Sequence, residues 1–252
     1  MRIFAISDIH IDFPENYNWL KQISCEDYKN DILILAGDIS NQIIHIEETF
    51  TSLTAKFLKV FYVPGNHDLW VVKNEYSNSI EKLRAIEIIA QHTGVIMEPY
   101  SMENVLIVPL LGWYDYSFGS PNQEILSNWV DFIACKWPFG NDVVQITKYF
   151  TDRNHISMQK GDRFIISFSH FLPRIDLMPY NIPTSKQFLY PVLGSVLLDK
   201  QIRELGSDLH IYGHSHINRK IWKDGILYIN NAYGYPYEKS YTHRKLLCVH
   251  EI

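Results

Sequence analysis

The sequence predicts a layered α/β fold with a parallel sheet, and three observations support this prediction. Short apolar runs, such as residues 32–36, are typical of strands that are covered on both faces. Longer stretches, such as residues 42–57, repeat apolar residues at spacings of three and four, as amphipathic helices do. The two kinds of segment alternate through the first half of the chain, an order that is typical of α/β layers.

The first half of the chain contains three predicted strands and three predicted helices. The first strand ends before Ser7, and the third is closed by the turn-forming pair Pro64-Gly65. The predicted strands cover residues 3–6, 32–36 and 60–63, and the predicted helices cover residues 15–23, 42–57 and 76–92.

In the second half of the chain, predicted strands and helices alternate less regularly. We predict strands over residues 105–109, 164–168, 209–212, 219–222, 226–229 and 245–250, and helical stretches over 126–134, 143–159 and 196–205. A turn at Gly225 indicates a hairpin. Because no repeat, low-complexity stretch or linker marks a boundary, we expect one domain over residues 1–252. An aromatic-rich loop and helical insertion is expected around residues 110–160.

Composition narrows the class of protein. The chain has 252 residues, with 23 Lys and Arg against 28 Asp and Glu, a formal charge of −5, which disfavours binding to duplex nucleic acid. Three cysteines that lie far apart, with no CxxC pair, disfavour a disulfide framework. No apolar run approaches the roughly 18 residues of a membrane span, and residues 1–7 are too short for a signal peptide. We therefore expect a cytoplasmic protein without a membrane partner.

Polar side chains follow five of the predicted strands. Ligands of an open α/β sheet bind outside the carboxyl ends of its strands, and glycines there allow tight turns. We therefore expect these side chains to converge. They are Asp8 and His10, Asp38, the run Asn66-His67-Asp68, His170, and the pair His214 and His216.

The series DxH, GD, GNHD, a later H and GHxH resembles the calcineurin-like metallophosphoesterase superfamily over residues 8–216. The resemblance implies a four-layer α/β/β/α sandwich, with two mixed sheets flanked by helices. It also implies two divalent metal ions that share Asp38. One ion is then held by Asp8, His10, Asp38 and His216, and the other by Asp38, Asn66, His170 and His214.

The implied ligands fit phosphate-ester chemistry. Carboxylate, amide and imidazole ligands without thiolate suit Mn, Fe, Zn or Co, and Mn is the metal we expect. Two such cations share a hydroxide and clamp the oxygens of an in-line displacement at phosphorus. By the same resemblance, His67 contacts the phosphate and protonates the leaving oxygen, and Asp38 and His67 are the catalytic pair. Asp68 either orients His67 or caps the following turn.

The resemblance favours a phosphodiesterase that acts on a small nucleotide-like substrate. Phosphoprotein phosphatases of this superfamily carry GDxVDRG after the second strand, whereas this chain has Asn41 at the second Asp and lacks the Arg. Three alternatives stay open. They are a phosphomonoesterase on a metabolite or phosphoprotein, a nuclease on single-stranded nucleic acid, and a non-catalytic metal-dependent scaffold.

Candidate substrate contacts lie in three places besides Asn66. Residues 111–119 contain Trp113, Tyr114 and Tyr116, which either stack on a nucleobase, form a lid, or pack in a core of their own. Residues 230–237 contain Tyr233, which either lines the cleft or packs in a turn. Arg174 follows His170 closely and either touches a phosphate or is a solvated surface residue.

Overall fold

The computed structural model describes residues 1–71, 75–156 and 160–252. The strands, in chain order, are β1 (Arg2–Ile6), β2 (Ile32–Leu35), β3 (Lys59–Tyr62), β4 (Tyr100–Met102), β5 (Val105–Pro109), β6 (Phe164–Phe168), β7 (Leu209–Tyr212), β8 (Arg219–Lys223), β9 (Ile226–Asn230) and β10 (Leu247–Glu251). The α-helices are α1 (Pro14–Gln22), α2 (Ile43–Thr54), α3 (Ser79–Thr93), α4 (Gln123–Asn128), α5 (Asp131–Ala134), α6 (Val143–Thr151) and α7 (Val196–Leu205).

The strands form two mixed sheets. The first has the order β10-β1-β2-β3, in which β1, β2 and β3 are parallel and β10 runs antiparallel to β1. The second has the order β4-β5-β6-β7-β9-β8, in which β5, β6, β7 and β9 are parallel and the two edge strands are antiparallel. The predicted parallel strands are confirmed, and the antiparallel edge strands make each sheet mixed.

Alternation along the strands assigns each apolar side chain to one of two cores. In β1, Ile3 and Ala5 belong to a cluster that also takes residues from β5, β6, β7 and β9 of the other sheet, so the two sheets pack face to face. Phe4 and Ile6 belong to a second cluster that contains the apolar faces of the helices. The architecture of two mixed sheets flanked by helices is therefore confirmed.

Several predicted elements differ in detail from those observed. Helix α3 begins at Ser79, because the Asn78 side chain accepts hydrogen bonds from the amides of residues 80 and 81 and caps the helix there. The stretch 126–134 breaks into α4 and α5 around Trp129, whose indole and the Asp131 carboxylate both turn inward. The stretch 143–159 is helical to Thr151, and its residues 157–159 lie outside the described residues. The short strand β4 was not predicted.

Two further observations concern the cysteines and the helix lengths. Cys25, Cys135 and Cys248 are all unpaired in the structure. Across the described ranges, no helix combines the length and the apolar character that crossing a membrane requires.

One connection joins the two sheets at the carboxyl ends of their strands. Ser7, after β1, forms a parallel bridge with Ala232, after β9. The Ser7 amide donates to the Asn231 carbonyl over 3.1 Å, and the Gly234 amide donates to the Asp8 carbonyl over 2.9 Å. These bonds hold the loops of both sheets against each other, which is the precondition for a shared site.

Candidate metal centre

Loops from both sheets bring the polar residues of the predicted site together. The loops after β1, β2 and β3 come from one sheet, and those after β6 and β7 come from the other. Their ligand atoms form three overlapping groups, each within 4.8 Å, and the groups are Asp8, His10 and His216; His10, Asp38 and His67; and Asp38, His170 and His214.

Asp38 belongs to two of these groups, and His10 links them to the third. Its Oδ2 is 3.4 Å from the His170 Nε2, 3.9 Å from the His10 Nε2 and 4.0 Å from the His67 Nε2. The carboxylate therefore faces ligands of both predicted metal ions, which is the position that a bridging ligand needs.

The backbone is unusual at five of the predicted ligands. The φ angle is positive at Asp8 (53°), His10 (39°), Asp38 (57°), His214 (65°) and His216 (51°). Non-glycine residues rarely adopt this region, and each instance costs on the order of 1–3 kcal/mol. Such strain persists only where the surrounding structure holds it, and here it turns each ligand towards the centre.

Close packing of the loops requires glycine at two positions. A Cβ atom on Gly65 would overlap the Asp38 carboxylate, and one on Gly37 would lie 2.5 Å from the His170 Nδ1. The glycines of the GD and GNHD motifs therefore let the loops approach closely enough to share one centre.

Asp68 holds the loop that carries Asp38. Its buried carboxylate accepts hydrogen bonds from the amides of Asp38 (2.8 Å), Ile39 (2.8 Å), Ser40 (3.1 Å) and Gly65 (2.8 Å). Neither of the two predicted roles describes this arrangement, because the carboxylate accepts from the preceding loops rather than from His67 or the turn that follows it. The reason is that Asp68 is fully buried beneath both loops.

Three imidazoles are oriented as metal ligands are. The His170 Nδ1 lies 2.9 Å from the Ala36 carbonyl, and the His214 Nε2 lies 3.0 Å from the Val192 carbonyl. Carbonyls accept only, so these nitrogens carry the protons and the opposite nitrogens are bare. The bare His170 Nε2 and His214 Nδ1 face each other at 3.2 Å. Two facing lone pairs repel unless a cation lies near them, so this donor set fits a bound metal ion.

Glu238 orients the third imidazole, that of His216, as the carbonyls orient the other two. Its Oε2 lies 2.6 Å from the His216 Nδ1, and the His216 Nε2 lies 3.1 Å from the Asp8 Oδ1. Burial by itself would lower the pKa of His216, but these two carboxylates raise it to about 10. A cation bound at the Nε2 therefore displaces a proton from this ring.

The pKa values of Asp38, His170 and His214 also fit a site that binds cations. Burial, together with the nearby carboxylates of Asp68 and Asp8, raises the pKa of Asp38 well above its ordinary value. Burial lowers the pKa of both His170 and His214 to about 4, so both rings are neutral and able to bind a metal near pH 7. Buried carboxylates surrounded by neutral imidazoles fit divalent cations.

The third ligand type, besides carboxylate and imidazole, is an amide whose orientation is set by a neighbour. The Asn66 Nδ2 donates to the Asp131 Oδ1 over 2.8 Å, which turns the Asn66 Oδ1 towards the His170 Nε2 at 3.2 Å. Asp131 is buried and also accepts from the indoles of Trp70 (2.6 Å) and Trp129 (2.9 Å). The amide oxygen, which is the atom that binds metal ions, therefore points into the centre.

His67 borders the centre and is enclosed by aromatic rings. It stacks on Trp70 with a centroid distance of 3.7 Å, and its Nε2 lies 3.3 Å from the Tyr235 hydroxyl. Tyr235 also stacks on His10, at 4.4 Å. Burial and the neighbouring imidazoles lower the pKa of His67 to about 3 in the absence of a substrate. Its ring keeps 18% exposure, so a ligand can reach it.

The structure does not bring most predicted substrate contacts to the centre. Trp113 and Tyr114 are buried and pack behind Phe171, so they offer a ligand no surface. Tyr116 packs beside Tyr114. The reason is that residues 113–114 belong to the main core, rather than to a core of their own.

The other two predicted contacts are also engaged elsewhere. Tyr233 packs on Trp19, with ring centroids 4.2 Å apart, and beneath the Arg244 guanidinium. Arg174 pairs with Asp176 at 2.9 Å and with Asp224 at 2.6 Å. Within the stretch 230–237, it is Tyr235 rather than Tyr233 that meets the centre.

Sequence reasoning missed Asp131, Tyr235 and Glu238. A signal for Asp131 was present, because it is the one carboxylate in the predicted helical stretch 126–134 and stands between the apolar residues Val130 and Phe132. A buried charge of that kind requires partners. Glu238 gave no comparable signal, since it stands among exposed polar residues of a turn.

Comparisons with known proteins agree with this geometry. A family model described as calcineurin-like phosphoesterase matches residues 1–218. The chain is 24% identical over 268 residues to uncharacterized protein L509 of Acanthamoeba polyphaga mimivirus, covering 95% of this chain and 94% of that protein. It is 23% identical over 265 residues to the acyl-carrier-protein phosphodiesterase PptH of Mycobacterium tuberculosis, covering 94% of this chain and 78% of PptH.

Two solved structures show the shared fold. The crystal structure of phosphopantetheinyl hydrolase PptH from Mycobacterium tuberculosis superposes with a TM-score of 0.75 at 22% identity, covering 98% of this chain and 95% of that one. The protein TT1561 of Thermus thermophilus superposes with a TM-score of 0.52 at 16% identity, covering 92% of this chain and 89% of that one.

Proposed function

The chain belongs to the calcineurin-like phosphoesterase family and is a metal-dependent phosphoesterase, and we propose that it is a phosphodiesterase with two bound divalent cations, of which Mn is the first choice. The carrying observation is the set of three overlapping ligand groups, of which two share Asp38 and two share His10. When bound, two such cations supply Lewis acidity and a water activated at neutral pH. Asp8, His10 and His216 would hold one cation, Asn66, His170 and His214 the other, and Asp38 both.

The chain's own residues supply the remaining chemistry. His67 is the proposed proton donor to the leaving oxygen, because it borders the centre and retains exposed surface. Trp70 and Tyr235 fix the plane of its ring. Asp68 and Asp131 hold Asp38 and Asn66 in place, so the proposed ligands are preorganised before the substrate arrives.

The substrate is proposed to be a small phosphodiester. The sequence favours a nucleotide-like one, whereas PptH is named for an acyl carrier protein and for the phosphopantetheinyl group. That likeness favours a phosphodiester with a phosphopantetheine arm. We also propose a cytoplasmic location, which the unpaired thiols support, and a single domain, since β10 at one end of the chain pairs with β1 at the other.

The test compares two model substrates. Protein stripped of metal and reloaded with Mn is assayed on p-nitrophenyl phosphate and bis-p-nitrophenyl phosphate, with Asp38→Asn in parallel. We expect a diester preference that Asp38→Asn abolishes. Asp152→Asn is the matched control, because this exposed carboxylate pairs with Lys148, away from the centre, and should leave the rate unchanged. A monoester preference would overturn the phosphodiesterase proposal, and equal rates in Asp38→Asn would overturn the two-metal centre.

A further inference from the structure

A groove of about 570 Å³ opens directly beside the metal centre. Its inner end is formed by His214 and Ser215, with Glu238 adjacent. One wall is the segment Met178 to Leu193, and Trp129 closes the side that lies towards Asn66. This volume is within the range of small-molecule sites, roughly 300–1,000 Å³.

The lining is mostly aliphatic and aromatic. Two of its few polar groups are engaged within the protein: the Tyr241 hydroxyl donates to the Glu238 Oε1 over 3.1 Å, and the Ser215 Oγ lies 3.3 Å from the Asn230 Nδ2. Lys186 is exposed, and it is the one cation among the lining residues that the structure describes. The apolar members of the lining are Trp129, Met178, Ile182, Pro183, Leu189, Tyr190, Leu193, Ile217 and Tyr241.

The groove meets the centre at His214 and at Glu238, the residue that holds the His216 Nδ1. His214 lines the groove and faces His170 at 3.2 Å. Trp129 lines it too, and its indole donates to the same Asp131 carboxylate that orients Asn66. His67 instead packs on Trp70, outside the lining. A group in the groove therefore lies beside His214 and Trp129 rather than against the ring of the proposed proton donor.

We propose that this groove binds an elongated, uncharged arm of alkyl and amide groups that is esterified to the phosphorus, the chemistry of a pantetheine chain. The inference rests on the proposed phosphodiesterase function and assigns its specificity to these residues. An aliphatic wall suits alkyl groups, and the few available polar groups suffice for isolated amides. A second phosphate finds only Lys186, and a nucleobase edge finds few partners for its several donors and acceptors.

The first test measures selectivity between arms. Mn-loaded enzyme is assayed on phosphate diesters that carry 4-nitrophenol as one ester and the 4′-hydroxyl of pantetheine, the 5′-hydroxyl of thymidine or methanol as the other. We expect kcat/KM to be at least about tenfold higher for the pantetheine ester than for the methyl ester, since a hydrophobic subsite discriminates by 10-fold or more per group it accommodates. A thymidine preference would overturn the proposal in favour of a nucleotide.

Substitutions in the wall then assign the selectivity to the groove. Leu189→Glu and Ile182→Glu place a carboxylate where the arm would lie, and we expect the pantetheine-to-methyl ratio to fall about tenfold in each. Ile88→Glu is the matched control, because Ile88 is 53% exposed on α3 and does not line the groove, so the ratio should not change. A ratio that stays within twofold of the wild type in both wall variants would overturn the proposal.

A binding measurement separates this proposal from the proposed function. Pantetheine, which lacks the phosphate, should quench the fluorescence of Trp129 in metal-free protein, and the quenching should be lost in Leu189→Glu and absent from Trp129→Phe. Quenching without any diester hydrolysis would support the groove and refute the phosphodiesterase. Hydrolysis without quenching, and with an unaltered ratio, would refute the groove alone. The same assay with holo-carrier protein in place of the small ester tests whether the arm arrives on a protein. Leu189→Glu should slow the hydrolysis of both substrates.

Discussion

Asp131→Asn should weaken metal binding by about 10- to 100-fold, the range found when an outer partner of a ligand is removed. The Asp131 carboxylate now accepts from three donors, the Asn66 amide (2.8 Å) and the indoles of Trp70 (2.6 Å) and Trp129 (2.9 Å). An amide has one acceptor oxygen and one NH₂ group. At least one of the three donors must therefore face another donor.

The magnitude follows from those contacts. A hydrogen bond to a charged acceptor contributes about 1.5–3 kcal/mol, and a buried donor left unpaired costs about 1–3 kcal/mol. Losing one of three contacts should lower the free energy of unfolding by about 2 kcal/mol. The Asn66 amide and the Trp70 indole share the Asp131 Oδ1, whereas the Trp129 indole lies on Oδ2, so the new NH₂ group faces the Trp129 indole. Repulsion between these two donors shifts the side chain that orients the Asn66 oxygen towards His170.

The assay has to separate orientation from stability. Mn affinity is measured by calorimetry on variants that are folded in buffer. The free energy of unfolding of the same variants is measured by urea denaturation. Asp31→Asn is the matched control, because Asp31 is also a buried carboxylate with several donors but precedes β2, at the opposite end of the strand from Asp38. It should lose stability while keeping its Mn affinity.

Two results would refute this reasoning. One is an unchanged Mn affinity in Asp131→Asn, which would make Asp131 a purely structural residue. The other is a failure of Trp129→Phe to restore affinity in the double variant, since removing the indole donor gives the new NH₂ group a place without a competing donor.

Three further predictions concern His67, Glu238 and Asp31. His67→Ala should lower kcat by about 10²- to 10⁴-fold on alkyl phosphodiesters and far less on 4-nitrophenyl esters, whose leaving group needs no proton; equal losses on both would exclude a proton donor. Glu238→Gln should reduce metal affinity about 10- to 100-fold with rescue at higher Mn, measured by metal content after dialysis, because the His216 ring loses its charged partner. Hydrogen bonds from Arg2 lower the pKa of Asp31 against the effect of burial, so this carboxylate stabilises the fold above its ordinary pKa of about 3.9 and loses that contribution as the pH falls through its lowered pKa. Urea denaturation should accordingly show a deficit of about 1–2 kcal/mol in Asp31→Asn at pH 7 that shrinks below about pH 4, and a deficit independent of pH would contradict the ion pair.

The sequence by itself predicted the parallel strands and the residues that follow them. The largely apolar runs of β5, β6 and β7 were predicted as strands with the bounds they have, and the bounds of helix α7 were also predicted. The polar residues after those strands were recognisable because Asp, Asn and His directly follow apolar runs. Asp38 and the residues grouped with it lie together because parallel strands deliver their carboxyl ends to one edge.

Only the tertiary structure decided which residues support the centre. Asp131, Tyr235 and Glu238 touch Asn66, His67 and His216 across sequence separations of 65, 168 and 22 residues. Such pairs form because two separate sheets pack face to face and bring distant loops together, and no local periodicity records that packing. For the same reason, Trp113 and Tyr114 fill the core while Trp129 lines the groove, since burial depends on what packs against a ring and not on its sequence neighbours.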